Sequence, residues 1–129
     1  RVYRALTLAV LIALSGSVWG HQFTPTYPTW KRSFIPGILV VTMTLFNSRE
    51  EISYYQINVY DKAWKKLPFA SSDRLSRIEY LETKKIEVYL KVEDVDKALY
   101  ICSRSKLTMG SKQASHVSSK ICSKLVGVQ

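Results

Sequence analysis

The fold of this chain is decided by residues 37–64, GILVVTMTLFNSREEISYYQINVYDKAW. In the first half of this stretch, Val41, Met43 and Leu45 alternate with two threonines, so the apolar side chains share one face. In the second half, residues 54–60 alternate in the same way between an apolar and a polar face. A period of two with β-branched and aromatic residues is the signature of half-buried strands. We therefore predict two neighbouring core strands, joined by a polar turn.

The same alternation predicts which side chains form the hydrophobic core. Residues 86–90 alternate apolar with polar side chains and predict a further strand, and residues 98–102 predict another. The predicted core consists of Val41, Met43, Leu45, Ile57, Val59, Ile86, Val88, Leu90, Leu99 and Ile101.

The rest of the chain is typical of short strands and turns. Two prolines within residues 23–30 favour an extended edge strand. A short strand is predicted at residues 78–81, and a polar connection or single helical turn at residues 92–97. Residues 117–125 fit either a helix face or a strand, and a hairpin with the preceding strand favours the strand. Six or seven strands separated by turns predict an all-β sandwich over residues 21–129.

Residues 1–20, RVYRALTLAVLIALSGSVWG, are typical of a secretory signal peptide. Arg1 and Arg4 precede an apolar run at residues 5–14, and this run is shorter than the roughly 20 residues that a membrane-spanning helix needs. We expect cleavage before His21 and export of the remaining chain. The alternative is that residues 1–20 are retained as a packed hydrophobic helix or anchor.

The chain contains two cysteines, Cys102 and Cys122. In an oxidising compartment an even number of cysteines favours a disulfide. If residues 98–102 form a strand and the chain turns near residues 109–112, the returning strand places Cys122 beside Cys102. We therefore predict a structural disulfide across the last hairpin. The absence of a CxxC motif and of a second Cys/His cluster argues against zinc binding and redox catalysis.

The net charge of +9 is concentrated towards the C-terminus. Residues 21–96 carry eleven Lys/Arg and ten Asp/Glu, whereas residues 97–129 carry six Lys/Arg and no acid. Such a basic segment attracts nucleic acid, anionic lipid or an acidic protein face. It is also typical of an edge strand that is protected from aggregation by its charge. We expect no nucleic acid partner, because Tyr100 is the only aromatic residue among these basic side chains.

No residue pattern indicates catalysis, a metal or a cofactor. Residues 103–106 spell S-x-x-K but have no partner set around them, and no G-x-S-x-G turn is present. The carboxylates of residues 93–96 do not follow the EF-hand calcium loop. His21 has no further metal ligands near it in the sequence, and His116 is typical of a solvated loop. We predict a protein that is not an enzyme and holds no metal or cofactor.

The order of these signals resembles the N-terminal immunoglobulin-like domain of periplasmic pilus chaperones. Residues 41–47, VTMTLFN, and residues 54–60, YYQINVY, are similar to that family's strand ending in Asn and its aromatic-rich next strand. Residues 81–90 and 98–101 are similar to two later strands. The resemblance covers residues 23–105 and implies an immunoglobulin-like β-sandwich of about seven strands.

The resemblance also implies a site. Pilus chaperones anchor a subunit's terminal carboxylate with an Arg on the first strand and a Lys on the last, and they have two domains where this chain has room for one. Their last strand presents bulky apolar residues, whereas Ser119 and Ser123 take alternate places here. The corresponding stretches of this chain offer Lys31 or Arg32, and Lys120 or Lys124. If residues 117–125 are an edge strand, Ile121 and Leu125 join the same surface. The predicted partner-binding residues are therefore Lys31, Arg32, Lys120, Ile121, Lys124 and Leu125.

These observations predict a periplasmic or secreted module that binds protein subunits of an envelope or surface assembly. The expected mode is strand addition at an open sheet edge, because main-chain hydrogen bonds there tolerate many sequences. One alternative is a structural component of a large particle, such as a virion or secretion machine, with residues 1–20 retained and a membrane contact through them. A second alternative is a small basic protein that binds anionic glycans or lipids.

Overall fold

The computed structural model describes residues 20–106 and 118–129, which form two antiparallel β-sheets packed face to face. Within these residues the strands are β1 His21–Thr24, β2 Lys31–Arg32, β3 Ile38–Asn47, β4 Tyr54–Tyr60, β5 Lys66–Leu67, β6 Ala70–Ser71, β7 Leu75–Arg77, β8 Thr83–Lys91, β9 Tyr100–Lys106 and β10 Lys120–Lys124. One helical turn, α1 Val92–Val95, connects β8 to β9, as the sequence predicts. No helix in these two ranges is long and apolar enough to cross a membrane.

Three predictions lie outside the described residues. These are the signal or anchor helix within residues 1–20, the hairpin turn near residues 109–112 and the solvated position of His116. The domain boundary after residue 20 likewise stays a prediction.

The strand order of the first sheet is β1-β3-β8-β6, with β2 also paired to β3. The order of the second sheet is β10-β9-β4-β5, with β7 also paired to β4. This arrangement confirms the predicted all-β sandwich, and residues 120–124 form the strand that the hairpin argument favoured. The described residues contain more strands than the seven or so expected, because β2, β5, β6 and β7 are only two or three residues long. Such short edge strands leave no alternating pattern in the sequence.

The two strands of residues 37–64 lie in different sheets, so the prediction that they are neighbouring strands is wrong. β3 pairs with β8, from Ile38 opposite Lys91 to Phe46 opposite Thr83. β4 pairs instead with β9 along its whole length. The connection between β3 and β4 crosses from one sheet to the other, so their apolar faces point at each other across the core. Alternation specifies the buried face of a strand but not its hydrogen-bonded neighbour.

The core lies between the two sheets and contains all the predicted residues except Leu99. Leu99 is half-buried, and Ala98 is buried instead. Leu99 lies one residue before β9 begins, in the connection from α1 rather than within the strand. Trp30, Ile52 and Ile78 come from outside the alternating stretches and complete the core.

The predicted strand at residues 78–81 is also wrong, since β7 ends one residue before it. Ile78 is fully buried, whereas Tyr80 and Leu81 are exposed. Asn47 ends the extended conformation here. Its side-chain amide donates to the carbonyl oxygen of Ile78, and its main-chain carbonyl oxygen accepts the N–H of Leu81 at 2.7 Å. These bonds turn the chain back towards β3 before a strand can extend.

Candidate partner-binding site

The last hairpin, β9 and β10, is joined by a disulfide between Cys102 and Cys122. The two residues are directly opposite each other in the strand register, and no cysteine of the described residues is free. The predicted disulfide is confirmed. Their Cα atoms are 4.1 Å apart, which is typical of an antiparallel pair that does not exchange main-chain hydrogen bonds. The main-chain N–H and C=O of Cys122 therefore point away from β9.

This outward direction matters because β10 is the edge strand of the second sheet. On the side of β10 that faces β9, the N–H of Leu125 donates to the carbonyl oxygen of Leu99 at 2.8 Å. Hydrogen-bonding direction alternates along an antiparallel strand. Lys120 and Cys122 therefore both direct their main-chain groups away from β9, in the plane of the sheet. Within residues 20–106 and 118–129, no strand pairs with this outer side at Lys120 and Cys122. With respect to the described residues, the hairpin thus presents an open edge, which we define as the main-chain groups of Lys120 and Cys122.

The C-terminal part of the same edge is already covered by residues 26–30. The N–H of Lys124 donates to the carbonyl oxygen of Thr26 at 3.0 Å, and the N–H of Val126 donates to that of Pro28 at 3.2 Å. The N-terminal segment therefore crosses from the first sheet to run beside the end of β10. This crossing limits the open edge to a short stretch.

The predicted partner-binding lysines and arginine fall at two edges of the sandwich. Lys31 and Arg32 form β2, and they are exposed at the edge of the first sheet. Lys120 and Lys124 are exposed on β10, at the edge of the second sheet. Residues 26–30 run between the two pairs. The structure therefore groups Lys120 and Lys124 with the open edge and places Lys31 and Arg32 on the other sheet.

The two apolar residues of the predicted site face inward. Leu125 is 5% exposed and belongs to the core, and Ile121 is half-buried against it. Ser123 is buried on the same inner face, as the alternation predicts. A partner at this edge would meet the main-chain groups of Lys120 and Cys122 and the lysine side chains, whereas the N–H of Leu125 is bonded to Leu99 of the preceding segment. The contribution of Ile121 and Leu125 to binding stays a prediction.

Lys120 is held over two aromatic rings. Its Nζ lies 4.5 Å from the ring centre of Tyr60 and 5.2 Å from that of Trp64. Trp64 in turn stacks parallel to Tyr100, with ring centres 4.1 Å apart. A cation over an exposed ring is worth about 0.5–1 kcal/mol, enough to restrict the direction of the ammonium group. Sequence reasoning missed this cluster, because its members come from four segments that only the topology brings together.

A tight turn between β4 and β5 positions Trp64. The carboxylate of Asp61 accepts the N–H groups of Ala63 and Lys65, both at 2.9 Å. Trp64 has a φ of 61°, a left-handed conformation that bulky residues seldom adopt. The Asp61 turn stabilises this conformation, and it leaves Trp64 49% exposed beside Lys120.

His21, the predicted first residue of the mature chain, is buried between the two sheets. It is 6% exposed. Its Nε2 lies 2.9 Å from the hydroxyl of Ser103 and its Nδ1 lies 3.1 Å from that of Ser119. Burial lowers the pKa of His21 to about 4, so the ring is neutral near pH 7. Within the part of the chain that the structure describes, no group of three or more His, Cys, Asp or Glu could hold a metal ion.

Asn47 connects the end of β3 to the loops around it. Its Nδ2 donates to the carbonyl oxygens of Ile52 at 2.7 Å and Ile78 at 2.9 Å. Its Oδ1 accepts the N–H of Arg49 at 2.9 Å and the hydroxyl of Tyr55 at 2.5 Å. Burial raises the pKa of Tyr55 to about 12, so this hydroxyl remains a donor. The strand-ending Asn of the sequence motif therefore has a structural role.

An apolar pocket of about 410 Å³ opens where β3 begins and β8 ends. Phe34 and Ile35, exposed in the preceding turn, lie at this end of β3. Sequence analysis missed the pocket, because its walls come from four separate segments. The lining residues are Ile35, Ile38, Pro68, Phe69, Ala70, Tyr89, Lys91 and Asp94.

Several solved structures have a similar fold. A chain from the complex of the Salmonella enterica pilin SafA with the SafB chaperone matches 88% of this chain with a TM-score of 0.61 and 13% identity. The fold is similar to that of the periplasmic pilus chaperones. The E. coli chaperone DraB matches 84% of this chain with a TM-score of 0.59 and 15% identity. The periplasmic chaperone SfaE also matches 84%, with a TM-score of 0.59 and 13% identity.

These matches confirm the predicted resemblance and the immunoglobulin-like β-sandwich. The chain spans 55–56% of the length of these three matched chains. The PapD-like domain 7 of human CEP192 has a similar fold, with a TM-score of 0.52 and 11% identity over 84% of this chain and 83% of that domain. The sequence matches no protein-family model and no curated protein. Because a human protein shares the fold, the fold alone does not specify a bacterial compartment or a partner.

Proposed function

We propose that this chain is an exported, chaperone-like interaction module that binds an extended segment of a protein subunit along β10. The observation that carries this proposal is the open edge, where Lys120 and Cys122 direct main-chain groups outward. An unpaired edge is a template for another strand, and strand addition obtains its affinity from main-chain hydrogen bonds. The similar solved structures support a protein partner, since one of them is a complex of a chaperone with a pilin.

The positive charge on β10 favours an acidic partner segment over a second copy of this chain. Lys120 and Lys124 are exposed on β10 beside the open edge. Like charges on an edge strand oppose pairing with a second copy of the same strand. They attract a segment that carries Glu, Asp or a terminal carboxylate. The partner in this proposal is therefore an acidic or carboxylate-ended extended segment.

The proposal includes a periplasmic or secreted location and a role without catalysis. It is supported by the signal-like sequence of residues 1–20 and by the similarity to periplasmic chaperones. The mass of the mature N-terminus tests the location. A chain that starts at His21 supports export, whereas a chain that retains residues 1–20 favours the alternative, a structural component of a large particle.

A pair of substitutions tests the open edge itself. Lys120→Pro removes the outward N–H without removing a bond to β9, and edge strands tolerate proline. Lys120→Ala removes the same side chain and keeps the N–H, so it is the matched control. Binding would be measured by NMR titration of the labelled protein with short peptides that alternate apolar residues with glutamate. We expect weaker binding for Lys120→Pro than for Lys120→Ala; equal affinity would contradict strand addition at this edge.

A further inference from the structure

The outward side of the second sheet carries a surface of basic side chains, which we call the basic face. It consists of Lys66 on β5, Arg104 and Lys106 on β9, and Lys120 and Lys124 on β10. No carboxylate within residues 20–106 and 118–129 forms an ion pair with any of them. The remaining residues of the chain contain no Asp or Glu. The charge of the basic face is therefore not neutralised within the chain.

The strand register places like charges directly opposite each other. Arg104 on β9 faces Lys120 on β10, and Gln56 lies opposite Arg104 on its other side. Like charges at directly opposite positions destabilise a sheet. The cost is removed when an anion binds between the two side chains. The pairing of Arg104 with Lys120 therefore favours a surface that binds an anion over a surface that is purely structural.

The basic face contains a pocket of about 170 Å³. It is smaller than the roughly 300–1,000 Å³ of pockets that enclose a whole drug-sized ligand, so it suits one charged group or one unit of a polymer. Its walls combine four cationic side chains, two side-chain amides and a tyrosine, above one cysteine of the disulfide. The lining residues are Gln56, Asn58, Tyr60, Lys66, Cys102, Arg104, Lys106 and Lys120.

The geometry distinguishes a glycan from a peptide strand as the ligand. β4 and β9 are paired on both sides, so their main-chain groups are used within the sheet and only side chains are available at the basic face. The amides of Gln56 and Asn58 suit hydroxyl groups, and the cations suit sulfate or carboxylate. The ring of Trp64 is half-exposed and lies next to the pocket, because it contacts Lys120, which lines the pocket. We infer that the basic face binds an acidic polysaccharide that carries sulfate or carboxylate groups.

A sulfated oligosaccharide tests this inference directly. Binding of a heparin hexasaccharide to the full chain would be measured by calorimetry at near-physiological salt, with a neutral dextran oligosaccharide as the ligand control. Arg104→Gln/Lys106→Gln should weaken binding at least about tenfold, a loss of about 1.4 kcal/mol. The protein control is Lys85→Gln/Lys91→Gln, which removes the same charge from the outer face of β8 in the first sheet. Equal weakening in both variants would overturn the inference, because net charge alone would then explain binding.

A neutral variant separates a specific site from general attraction to anions. Gln56→Ala/Asn58→Ala keeps every charge, so it should weaken heparin binding and leave binding of polyglutamate and of a DNA oligonucleotide unchanged. Equal or tighter binding of the wild-type chain to polyglutamate, the oligonucleotide or phosphatidylglycerol vesicles than to heparin would overturn the inference. Lys120 is left unchanged in all these variants, because it also belongs to the proposed strand-binding edge. Peptide binding at that edge should therefore survive in Arg104→Gln/Lys106→Gln.

Discussion

Cys102 and Cys122 lie directly opposite each other on β9 and β10, with Cα atoms 4.1 Å apart and a disulfide between them. The bond links positions separated by 20 residues, and a loop of this size contributes about 3 kcal/mol in the chain-entropy account. We expect Cys102→Ala/Cys122→Ala to lower the free energy of unfolding by about that amount, measured by urea denaturation. The unreduced native protein should show no free thiol, and two titratable thiols would contradict the structure.

Met43 tests the assignment of the buried face of β3. Its side chain is 0% exposed, whereas that of the adjacent Thr42 is exposed. We expect Met43→Ala to cost about 2–5 kcal/mol of unfolding free energy, as buried large-to-small changes do. Thr42→Ala, the matched control on the other face, should change stability by less than about 0.5 kcal/mol. Similar losses from both substitutions in chemical denaturation would mean that the faces are wrongly assigned.

Asn47 tests whether the end of β3 depends on buried hydrogen bonds. Asn47→Ala leaves the carbonyls of Ile52 and Ile78 and the hydroxyl of Tyr55 without this partner. Each buried group without a partner costs about 1–3 kcal/mol, so we expect a total loss of at least about 3 kcal/mol. Tyr55→Phe removes one of these bonds and should cost about 1 kcal/mol. A smaller loss for Asn47→Ala than for Tyr55→Phe in denaturation experiments would contradict this role.

The sequence predicts the buried faces of this fold better than its strand neighbours. Alternation in residues 41–45, 55–59 and 86–90 identifies core side chains, because a period of two is a property of one strand alone. Sheet membership depends on how the connections run. The bonds from Asn47 to Ile52 and Ile78 send the chain across to the second sheet, and no local pattern contains that information.

The sequence also predicts only part of the candidate site. The predicted strand at residues 98–102, a turn near residues 109–112 and the spacing of Cys102 and Cys122 together predict the last hairpin and its disulfide. The charge count in residues 97–129 located the basic segment but not its face. The contact of Lys120 with Tyr60 and Trp64 joins positions far apart in the chain. It depends on the register of β4 with β9 and of β9 with β10, which only the three-dimensional structure supplies.

His21 makes stability depend on pH. Its pKa is lowered to about 4 in the folded chain, mainly by burial, whereas an unfolded chain has a His pKa near about 6.5. Between these two values the unfolded state binds more protons, so stability falls as pH drops from about 6.5 to about 4. The full loss is on the order of 3 kcal/mol.

The measurement is the melting temperature of the chain across this pH range. His21→Gln should flatten the dependence, since the substituted side chain does not titrate. His116→Gln changes the other histidine of the chain, and it should leave the dependence in place. An unchanged pH dependence in His21→Gln would show that another group is responsible.

Lys120 and Lys124 are expected to control how fast a partner reaches β10. Both side chains are exposed, so Lys120→Glu/Lys124→Glu should leave the fold intact, with a loss of about 0.5–1 kcal/mol from the contacts of Lys120 with the two rings. Charges at the rim of an interface act mainly on the association rate. At low salt we therefore expect association with a glutamate-containing peptide to slow by roughly tenfold or more.

Lys85→Glu/Lys91→Glu reverses the same charge on the first sheet, so it should have a much smaller effect in stopped-flow measurements. An unchanged rate for Lys120→Glu/Lys124→Glu at low salt would remove this edge as the binding surface, because an acidic strand adding beside Cys122 has to approach both lysines.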